Sequence, residues 1–473
     1  NNACAETTRQ GRYTDALSYA RRLLQVTPWD ENAHRQVMQL LAWMGRREEA
    51  FRQFALCKQA LADELAVEPS AETEALYQRL QAGDLGAPPP PFLAAGAEKL
   101  HDARPLFVLR QREMAWLNKQ LERALDGHGG VAFVSGSPGR GKTALLDAVC
   151  DWALARYPKL LVARGSCAAY AGVGEPYLPF RDIMSMLSGD VEGKWAAGAI
   201  CTAHARRLWG ALPLVVQMLL DHGPGLVNTL IPASALRKRA MALGPPGALS
   251  LEPFADPPQA RQGETVAVEQ SALFEQFNNV LRALAGERPL LLLLDDIQWL
   301  DTASIGLLFH LVRRLAKEPS SILILCAYRP EEIMRDQSAA QRQLARALSE
   351  FRRLFGDVWL GLDWADEEDG RQFVNNILDT QSNHLGQEFR AALYQRTAGH
   401  PLFTIELLRA MRERGDLIQD EDGCWHEGQE LDWQLIPARV EAVIEARIQQ
   451  LQPQYRELLS IASVEGESFT APV

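Results

Sequence analysis

The sequence predicts an α/β fold with a parallel β-sheet at its centre, an all-helical region before the sheet and a second helical region after it. Between residues 131 and 362, short apolar segments alternate with helical patterns, which is typical of an open parallel sheet. Leu290–Leu294 is a continuous apolar run, as expected of a strand buried on both faces. Near the N-terminus, two similar stretches lie 34 residues apart, which is the period of helical hairpin repeats.

The composition is that of a globular chain, with 473 residues of which 47% are hydrophobic and 23% charged. The formal net charge is −11, which gives no support to the hypothesis that the chain binds nucleic acid through its phosphates. The seven cysteines are scattered and form no C-x-x-C pair, so we expect free thiols and a cytoplasmic location. No apolar run approaches the length of a membrane span. The chain begins without Met and enters helical sequence at once, so we expect a fragment of a longer protein.

The first region, residues 1–85, carries the repeated stretches. Gly11–Leu17 matches Gly45–Phe51, and the small residues Ala16 and Ala50 would let paired helices approach closely. The spacing predicts an all-α region of the tetratricopeptide (TPR) kind.

A Pro-rich linker is expected over residues 86–104, where Pro88–Pro91 would be stiff and extended. The alternating region then occupies residues 105–365, and a helical pattern follows from residue 366. The expected strands are Val131–Ser135, Leu160–Ala163, Leu290–Leu294, Ile322–Ala327 and Val358–Leu362.

The stretch Gly136–Thr143 fits the pattern G-x-x-x-x-G-K-[ST] between a predicted strand and a predicted helix. Glycines let such a loop wrap so that backbone N–H groups point at phosphate oxygens, and the following helix N-terminus adds partial positive charge. Lys142 should reach the β- and γ-phosphates, and the Thr143 hydroxyl should ligate Mg²⁺. We therefore predict ATP or ADP with Mg²⁺ as the cofactor. The predicted phosphate-binding residues are Gly136, Ser137, Pro138, Gly139, Arg140, Gly141, Lys142, Thr143 and Ala144.

Two carboxylates follow the buried run Leu290–Leu294. Asp295 stands at the carboxyl end of this strand, where it should hold the Mg²⁺ together with Thr143. Asp296 is placed to orient or deprotonate an attacking water. These residues predict an ATPase, with Lys142 and Asp296 in its catalytic set.

The stretch Asp295–Asp301 resembles the D-[DE]-h-x-W-x-D signature of STAND ATPases, the signal-transducing branch of the AAA+ class. Phe107–Glu113 is similar to the F-V-G-R-E segment of that family, whose backbone borders the adenine, which implies nucleotide contacts at Val108 and Arg110. Leu109 and Gln111 depart from that pattern. Pro176–Phe180 also matches a P-Y-x-P-F stretch of the family.

Two later motifs extend the resemblance. Ala327–Pro330 looks like the family's strand end whose arginine senses the γ-phosphate, which implies that role for Arg329. Gly399–Phe403 resembles the G-x-P motif, whose proline packs on the nucleotide, which implies that role for Pro401. The family then implies a helical domain over residues 366–450 and the start of a truncated winged-helix domain over residues 451–473.

Residues 1–85 also resemble a named module, the bacterial transcriptional activator domain, through the stretches 40–50 and 64–73. In that family the module follows a DNA-binding domain, so the resemblance implies promoter DNA and RNA polymerase as partners through domains outside this chain.

The resulting hypothesis is an ATP/ADP signalling switch that regulates transcription, with slow ATP hydrolysis and self-association in the ATP state, and with no membrane partner. An antiphage defence ATPase of the STAND class is an alternative with the same ATPase, and a P-loop phosphotransferase is a weaker one. The nine histidines show no metal-ligand spacing with the cysteines, so the sequence predicts no zinc site.

Overall fold

The computed structural model describes residues 7, 13–82, 90–93, 110–167, 176–241, 270–335, 338–363, 367–428, 431, 433, 445, 448–449 and 451–462. The chain divides into two compact units. The first comprises residues 1–104 and 185–276, and the second comprises residues 105–184 and 277–473. Among the described residues, no helix combines the length and the apolar character needed to cross a membrane.

The helices of the described residues are α1 (Tyr13–Val26), α2 (Glu31–Trp43), α3 (Arg47–Leu65), α4 (Ala71–Ala82), α5 (Gln111–Leu125), α6 (Lys142–Arg156), α7 (Leu178–Leu187), α8 (Glu192–Ala196), α9 (Thr202–His222), α10 (Ala233–Met241), α11 (Gln270–Glu287), α12 (Thr302–Leu315), α13 (Pro330–Arg335), α14 (Ala339–Phe355), α15 (Glu367–Leu378), α16 (Gln387–Thr397), α17 (Pro401–Arg414) and α18 (Pro453–Ala462). The strands are β1 (His128–Ser135), β2 (Leu161–Ser166), β3 (Leu290–Asp295), β4 (Ser320–Tyr328), β5 (Trp359–Gly361), β6 (Leu417–Gln419) and β7 (Trp425–Glu427).

The N-terminal part of the first unit is all-helical, as predicted. Helices α1 to α3 pack in succession, and Ala16, Ala20 and Ala50 are fully buried where they meet. The Asp30 carboxylate accepts a hydrogen bond from the Ala33 N–H (3.1 Å) and so caps α2. Small residues at the contacts and a polar cap at the turn therefore let successive helices pack closely.

The linker contains a short 3₁₀ turn at Pro91–Leu93. Phe92 is fully buried there, with its ring 5.9 Å from the Trp195 ring and 6.0 Å from the Trp209 ring. Arg206 Nε donates a hydrogen bond to the Phe92 carbonyl oxygen (2.9 Å). The first unit thus anchors this part of the linker by an aromatic side chain.

The second unit is built on a five-stranded sheet in the order β2-β3-β4-β1-β5, with every neighbouring pair parallel. All six residues of β3 are buried, and β2 and β4 pair with it on either side. A strand that is buried on both faces needs apolar residues at successive positions, which explains the run Leu290–Leu294. The predicted α/β fold with a parallel sheet is therefore confirmed.

The carboxyl ends of the strands meet at one edge of the sheet. Ser135 pairs with Tyr328 and with Gly361, and Ser166 pairs with Asp295. The loops that follow these strands consequently lie along one edge, where open parallel sheets bind their ligands.

A helical region follows the sheet, with α15, α16 and α17 around their own apolar core. Gly399 precedes α17 with a φ of 68°, and a Cβ there would lie 2.6 Å from the Gly370 backbone. Only glycine fits this close approach. Of the winged-helix start expected at 451–473, α18 is described and residues 463–473 lie outside the described part of the chain.

Candidate nucleotide-binding site

The loop between β1 and α6 takes the bent conformation that phosphate binding requires. Gly139 and Gly141 have φ values of 73° and 84°, in the left-handed region that glycine adopts at little cost. Gly141 is the N-cap residue of α6, so Lys142, Thr143 and Ala144 form the first turn of that helix. The N-terminus of α6 thereby faces the loop with its unpaired N–H groups, which favours an anion.

Lys142 is buried at the base of this loop, with 6% of its surface exposed. Its Nζ donates hydrogen bonds to the carbonyl oxygens of Gly136 (2.7 Å) and Ser137 (3.0 Å). Burial lowers the pKa of the Lys142 ammonium, Arg329 lowers it further, and the two strand-end aspartates act in the opposite direction. The ammonium is therefore a poorly solvated cation inside the site, which strengthens its attraction for a phosphate.

Thr143 and Asp295 come together, as the sequence predicted for a Mg²⁺ site. Thr143 Oγ1 donates a hydrogen bond to Asp295 Oδ2 at 2.8 Å, close to the ligand–ligand edge of about 3 Å in an octahedral Mg²⁺ site. Burial raises the pKa of the Asp295 carboxyl, and the Arg164 guanidinium and the Thr143 hydroxyl oppose that rise in part. A hydroxyl and a carboxylate are hard oxygen donors, so this pair fits the ion.

Asp296 adjoins Asp295 but has a different environment. Its backbone has a φ of 54°, and its carboxylate forms an ion pair with Arg329 (Nε to Oδ1, 3.3 Å). Gln298 Nε2 donates to the same carboxylate oxygen (2.7 Å), while Gln298 Oε1 accepts from the Arg329 N–H (3.1 Å). The predicted catalytic aspartate and the predicted γ-phosphate sensor are thus partners of each other.

Gln298 is a site residue that the sequence analysis missed. It is 2% exposed and holds both Asp296 and the Arg329 backbone. It stands at an unspecified position of the D-[DE]-h-x-W-x-D pattern, so the motif contained no signal for it. Glu331 was missed as well, although its Oε1 accepts a hydrogen bond from the Ser137 hydroxyl (2.9 Å). The sequence signal from which Glu331 could have been predicted is its position two residues after Arg329.

Arg110 links the segment before α5 to the loop. It is 7% exposed, and its Nη2 donates to the carbonyl oxygens of Arg140 (3.1 Å) and Leu362 (2.9 Å). Asp363 accepts from the Ser137 N–H (3.2 Å) and pairs with Arg140 Nε (3.2 Å). These contacts set the distance between the loop and the end of β5.

A cavity of about 530 Å³ opens beside Arg110. Arg110–Glu113 and Trp116 line one side of it, and Asp363 and residues of α15, including Phe373, line another. Its volume lies in the range of small-molecule sites. Val108, which the resemblance assigned to the same region, lies outside the described residues.

The start of α17 contacts the tip of the loop. His400 Nε2 is hydrogen-bonded to the Pro138 carbonyl oxygen (2.9 Å), and the Leu402 N–H donates to the Gly139 carbonyl oxygen (3.2 Å). The His400 ring also accepts from the Phe403 N–H (3.4 Å), which makes it the N-cap of α17 with Pro401 at the first helical position. Pro401 is buried, and in the sequence it lies between His400 and Leu402, the two residues that bind the loop. The G-x-P segment thus lies on the predicted phosphate-binding loop.

Comparison with known proteins gives two sequence families. Residues 1–81 match the bacterial transcriptional activator domain, and residues 106–325 match the AAA ATPase domain. The search of curated proteins found no match.

Three solved structures are similar to the chain at low identity. They are Cdc6p from Pyrobaculum aerophilum (13% identity, 66% of this chain and 65% of that chain, TM-score 0.33), the ADP form of the Aeropyrum pernix ORC2 protein (16%, 80% and 80%, 0.33), and Drosophila ORC bound to AT-rich DNA and Cdc6 (11%, 72% and 96%, 0.21). The chain therefore spans just under two thirds of the Pyrobaculum protein, and TM-scores this low carry no argument about function.

The two sequence families agree with the architecture and with the loop geometry at the sheet edge. The chain carries a bacterial transcriptional activator domain followed by an AAA ATPase domain, which is the make-up of a regulator with an ATPase module.

Proposed function

We propose that this chain is a cytoplasmic nucleotide switch, in which ATP and ADP at the loop 136–143 set the position of the helical region and thereby control transcription through the activator domain. The observation that carries the proposal is the pair of hydrogen bonds from His400 and Leu402 to the loop carbonyls. The same loop would wrap the phosphates. A change in the bound phosphates would therefore alter the loop and, through these hydrogen bonds, the position of the start of α17.

The phosphates would bind between the loop N–H groups and Lys142. The Lys142 ammonium now donates to two carbonyl oxygens of its own loop, and phosphate oxygens would replace these acceptors with charged ones. A hydrogen bond to a charged partner is about twice as strong as a neutral one. Thr143 and Asp295 would hold the Mg²⁺, which would neutralise phosphate charge when bound.

Hydrolysis would depend on Asp296 and Arg329. Asp296 would accept a proton from the attacking water, and Arg329 would bind the γ-phosphate. Their mutual ion pair at 3.3 Å occupies both groups, so Arg329 must turn away from Asp296 before either can act. We infer that this pairing keeps hydrolysis slow until a γ-phosphate attracts the guanidinium.

The nucleoside would occupy the 530 Å³ cavity beside Arg110. Trp116 and Phe373 supply apolar surface there, and Gln372 and Asn376 supply polar groups that could bind a base edge. The cavity lies between α5 and α15, so a bound nucleoside would contact both. In this proposal Pro401 packs on the nucleotide from the same helical region.

The output would be self-association in the ATP state, which would bring together promoter-binding domains or RNA polymerase contacts outside this chain. The activator domain favours transcription over antiphage defence, and a phosphotransferase leaves that domain unexplained.

Light scattering tests the switch. With ADP and Mg²⁺ we expect the mass of a monomer, and with a non-hydrolysable ATP analogue we expect a larger mass. The Lys142→Ala variant should give one mass under both conditions. A wild-type mass that is the same with both nucleotides, despite measured binding of each, would contradict the switch.

A further inference from the structure

Three side chains of different metal-binding types meet at the β6–β7 hairpin, outside the motifs of the nucleotide site. They are His384, Asp420 and Cys424, and their potential ligand atoms lie within 4.8 Å of one another. We propose that this cluster binds a Zn²⁺ ion, with water as the fourth ligand. Imidazole, carboxylate and thiolate are the three protein ligand types that zinc takes in tetrahedral sites.

The hairpin fixes the carboxylate. The Asp420 N–H donates to the Cys424 carbonyl oxygen (3.0 Å), which closes the turn. Asp420 Oδ1 accepts hydrogen bonds from the N–H groups of Asp422 (3.0 Å) and Cys424 (2.8 Å). These bonds orient the carboxylate, and its other oxygen, Oδ2, lies 3.9 Å from His384 Nε2.

The histidine is brought to the hairpin by the backbone. The His384 N–H donates to the Trp425 carbonyl oxygen (2.8 Å), and the Trp425 N–H donates to the Ser382 carbonyl oxygen (2.9 Å). Residues 382–384 are therefore paired with β7 in a strand-like manner, next to Cys424. Ligands whose backbones are held by such bonds lose little freedom when a metal binds.

The remaining movement is small. Neighbouring ligand atoms in a tetrahedral zinc site are about 3.3–3.8 Å apart, as follows from zinc–ligand bonds of about 2.0–2.3 Å. The His384 and Asp420 atoms at 3.9 Å are already near this range. The His384 side chain is 70% exposed, so its ring can turn to complete the site. The thiol must lose its proton and the imidazole must be neutral, so affinity should fall on acidification.

The choice of zinc over Mg²⁺ follows from the donor set. A thiolate and an imidazole suit a borderline-soft ion, whereas Mg²⁺ takes oxygen ligands. The Thr143 and Asp295 pair offers two oxygens, so the two sites of the second unit should select different metals.

Cobalt substitution tests the proposal on the whole, nucleotide-free chain. Co²⁺ added to wild-type protein should give one equivalent of tetrahedral visible bands and a sulfur-to-cobalt charge-transfer band, and Zn²⁺ should displace both. Cys424→Ser should remove the charge-transfer band, and His384→Ala should weaken binding at least tenfold. Two matched controls should behave as wild type. They are Cys201→Ser, at a partly exposed thiol of the first unit, and His426→Ala, at a partly exposed histidine of β7.

Thermal unfolding provides a second measurement that does not depend on cobalt. Zn²⁺ should raise the Tm of wild type and of both controls, but not the Tm of His384→Ala, whose exposed side chain can be removed without disturbing the fold. If wild type shows neither the charge-transfer band nor a Zn²⁺-dependent Tm, or if Cys424→Ser keeps the band, the cluster is an ordinary His–Asp pair beside a free thiol and the proposal is wrong.

Discussion

The loop 136–143 and the segment 399–403 lie against each other, yet what determines their conformation and contacts differs between them. The loop is continuous in sequence, and its conformation follows from Gly139 and Gly141. The segment contributes through a ring nitrogen of His400 and a backbone N–H of Leu402, which bind loop carbonyls more than 250 residues away. The conformation of the loop therefore follows from its own sequence, whereas the contacts of the segment 399–403 depend on the fold that brings this segment to the loop.

This difference matters for the proposed switch. N–H groups of a P-loop bind phosphate, while the carbonyls of Pro138 and Gly139 bind α17. Within the same loop, N–H groups would thus bind the nucleotide while carbonyl groups bind the helical region. Variants on either side should separate the two.

The largest effect is expected at the strand end. Asp296→Asn should lower the ATP hydrolysis rate by at least about 100-fold, because the amide cannot accept the proton of the attacking water. ATP affinity, measured by calorimetry on the same variant, should change little and serves as the control. A variant that still hydrolyses ATP at the wild-type rate would exclude Asp296 as the base.

Arg329→Ala should change the preference between nucleotides. Loss of a charged hydrogen bond to the γ-phosphate should lower ATP affinity about 10- to 100-fold and leave ADP affinity nearly intact. Arg329→Lys, which keeps the charge, should retain part of the preference. If ATP and ADP weaken equally in Arg329→Ala, the arginine does not sense the γ-phosphate.

A smaller effect is expected on the helical side. His400→Ala removes the hydrogen bond to Pro138, so hydrogen exchange of the 136–143 amides should speed up about fivefold in the nucleotide-free protein. The partly exposed histidine of β7, His426, supplies the control variant. Exchange at the wild-type rate in His400→Ala would mean that the contact does not hold the loop.

The smallest effect concerns stability and pH. Burial raises the pKa of Asp295, so the folded state binds its proton more tightly than the unfolded state, and the charged carboxylate costs stability once the pH exceeds the unfolded pKa. Asp295→Asn should therefore raise the Tm of the nucleotide-free protein by about 2 °C at neutral pH. The gain should vanish as the pH falls below the unfolded pKa, where both states are protonated. A gain that is independent of pH would contradict this origin.

Much of the fold could be predicted because its signals are local. The apolar runs of β1, β3 and β4 form the three inner strands of the sheet and are buried. A strand covered on both faces needs apolar residues at successive positions. The loop 136–143 was predictable for the same reason, since its glycines and its lysine are close together in sequence.

The rest of the site could not be predicted because it depends on contacts between distant residues. Gln298 is important through its hydrogen bonds to Asp296 and Arg329, and a motif with an unspecified position contains no signal for them. His384 and Cys424 are 40 residues apart and meet through pairing of residues 382–384 with β7. Spacing rules for metal ligands assume short separations, so the cluster could not be found from the sequence.

The central claim is that the loop 136–143 binds the phosphates of a nucleotide, and calorimetry of Lys142→Ala tests it most directly. ATP, ADP and adenosine are titrated into wild type, into Lys142→Ala and into Lys159→Ala, where an exposed lysine before β2 is the control. We expect Lys142→Ala to lose at least about tenfold in ATP and ADP affinity, as for a charged hydrogen bond, with adenosine affinity unchanged. Wild-type ATP affinity in Lys142→Ala would contradict the account.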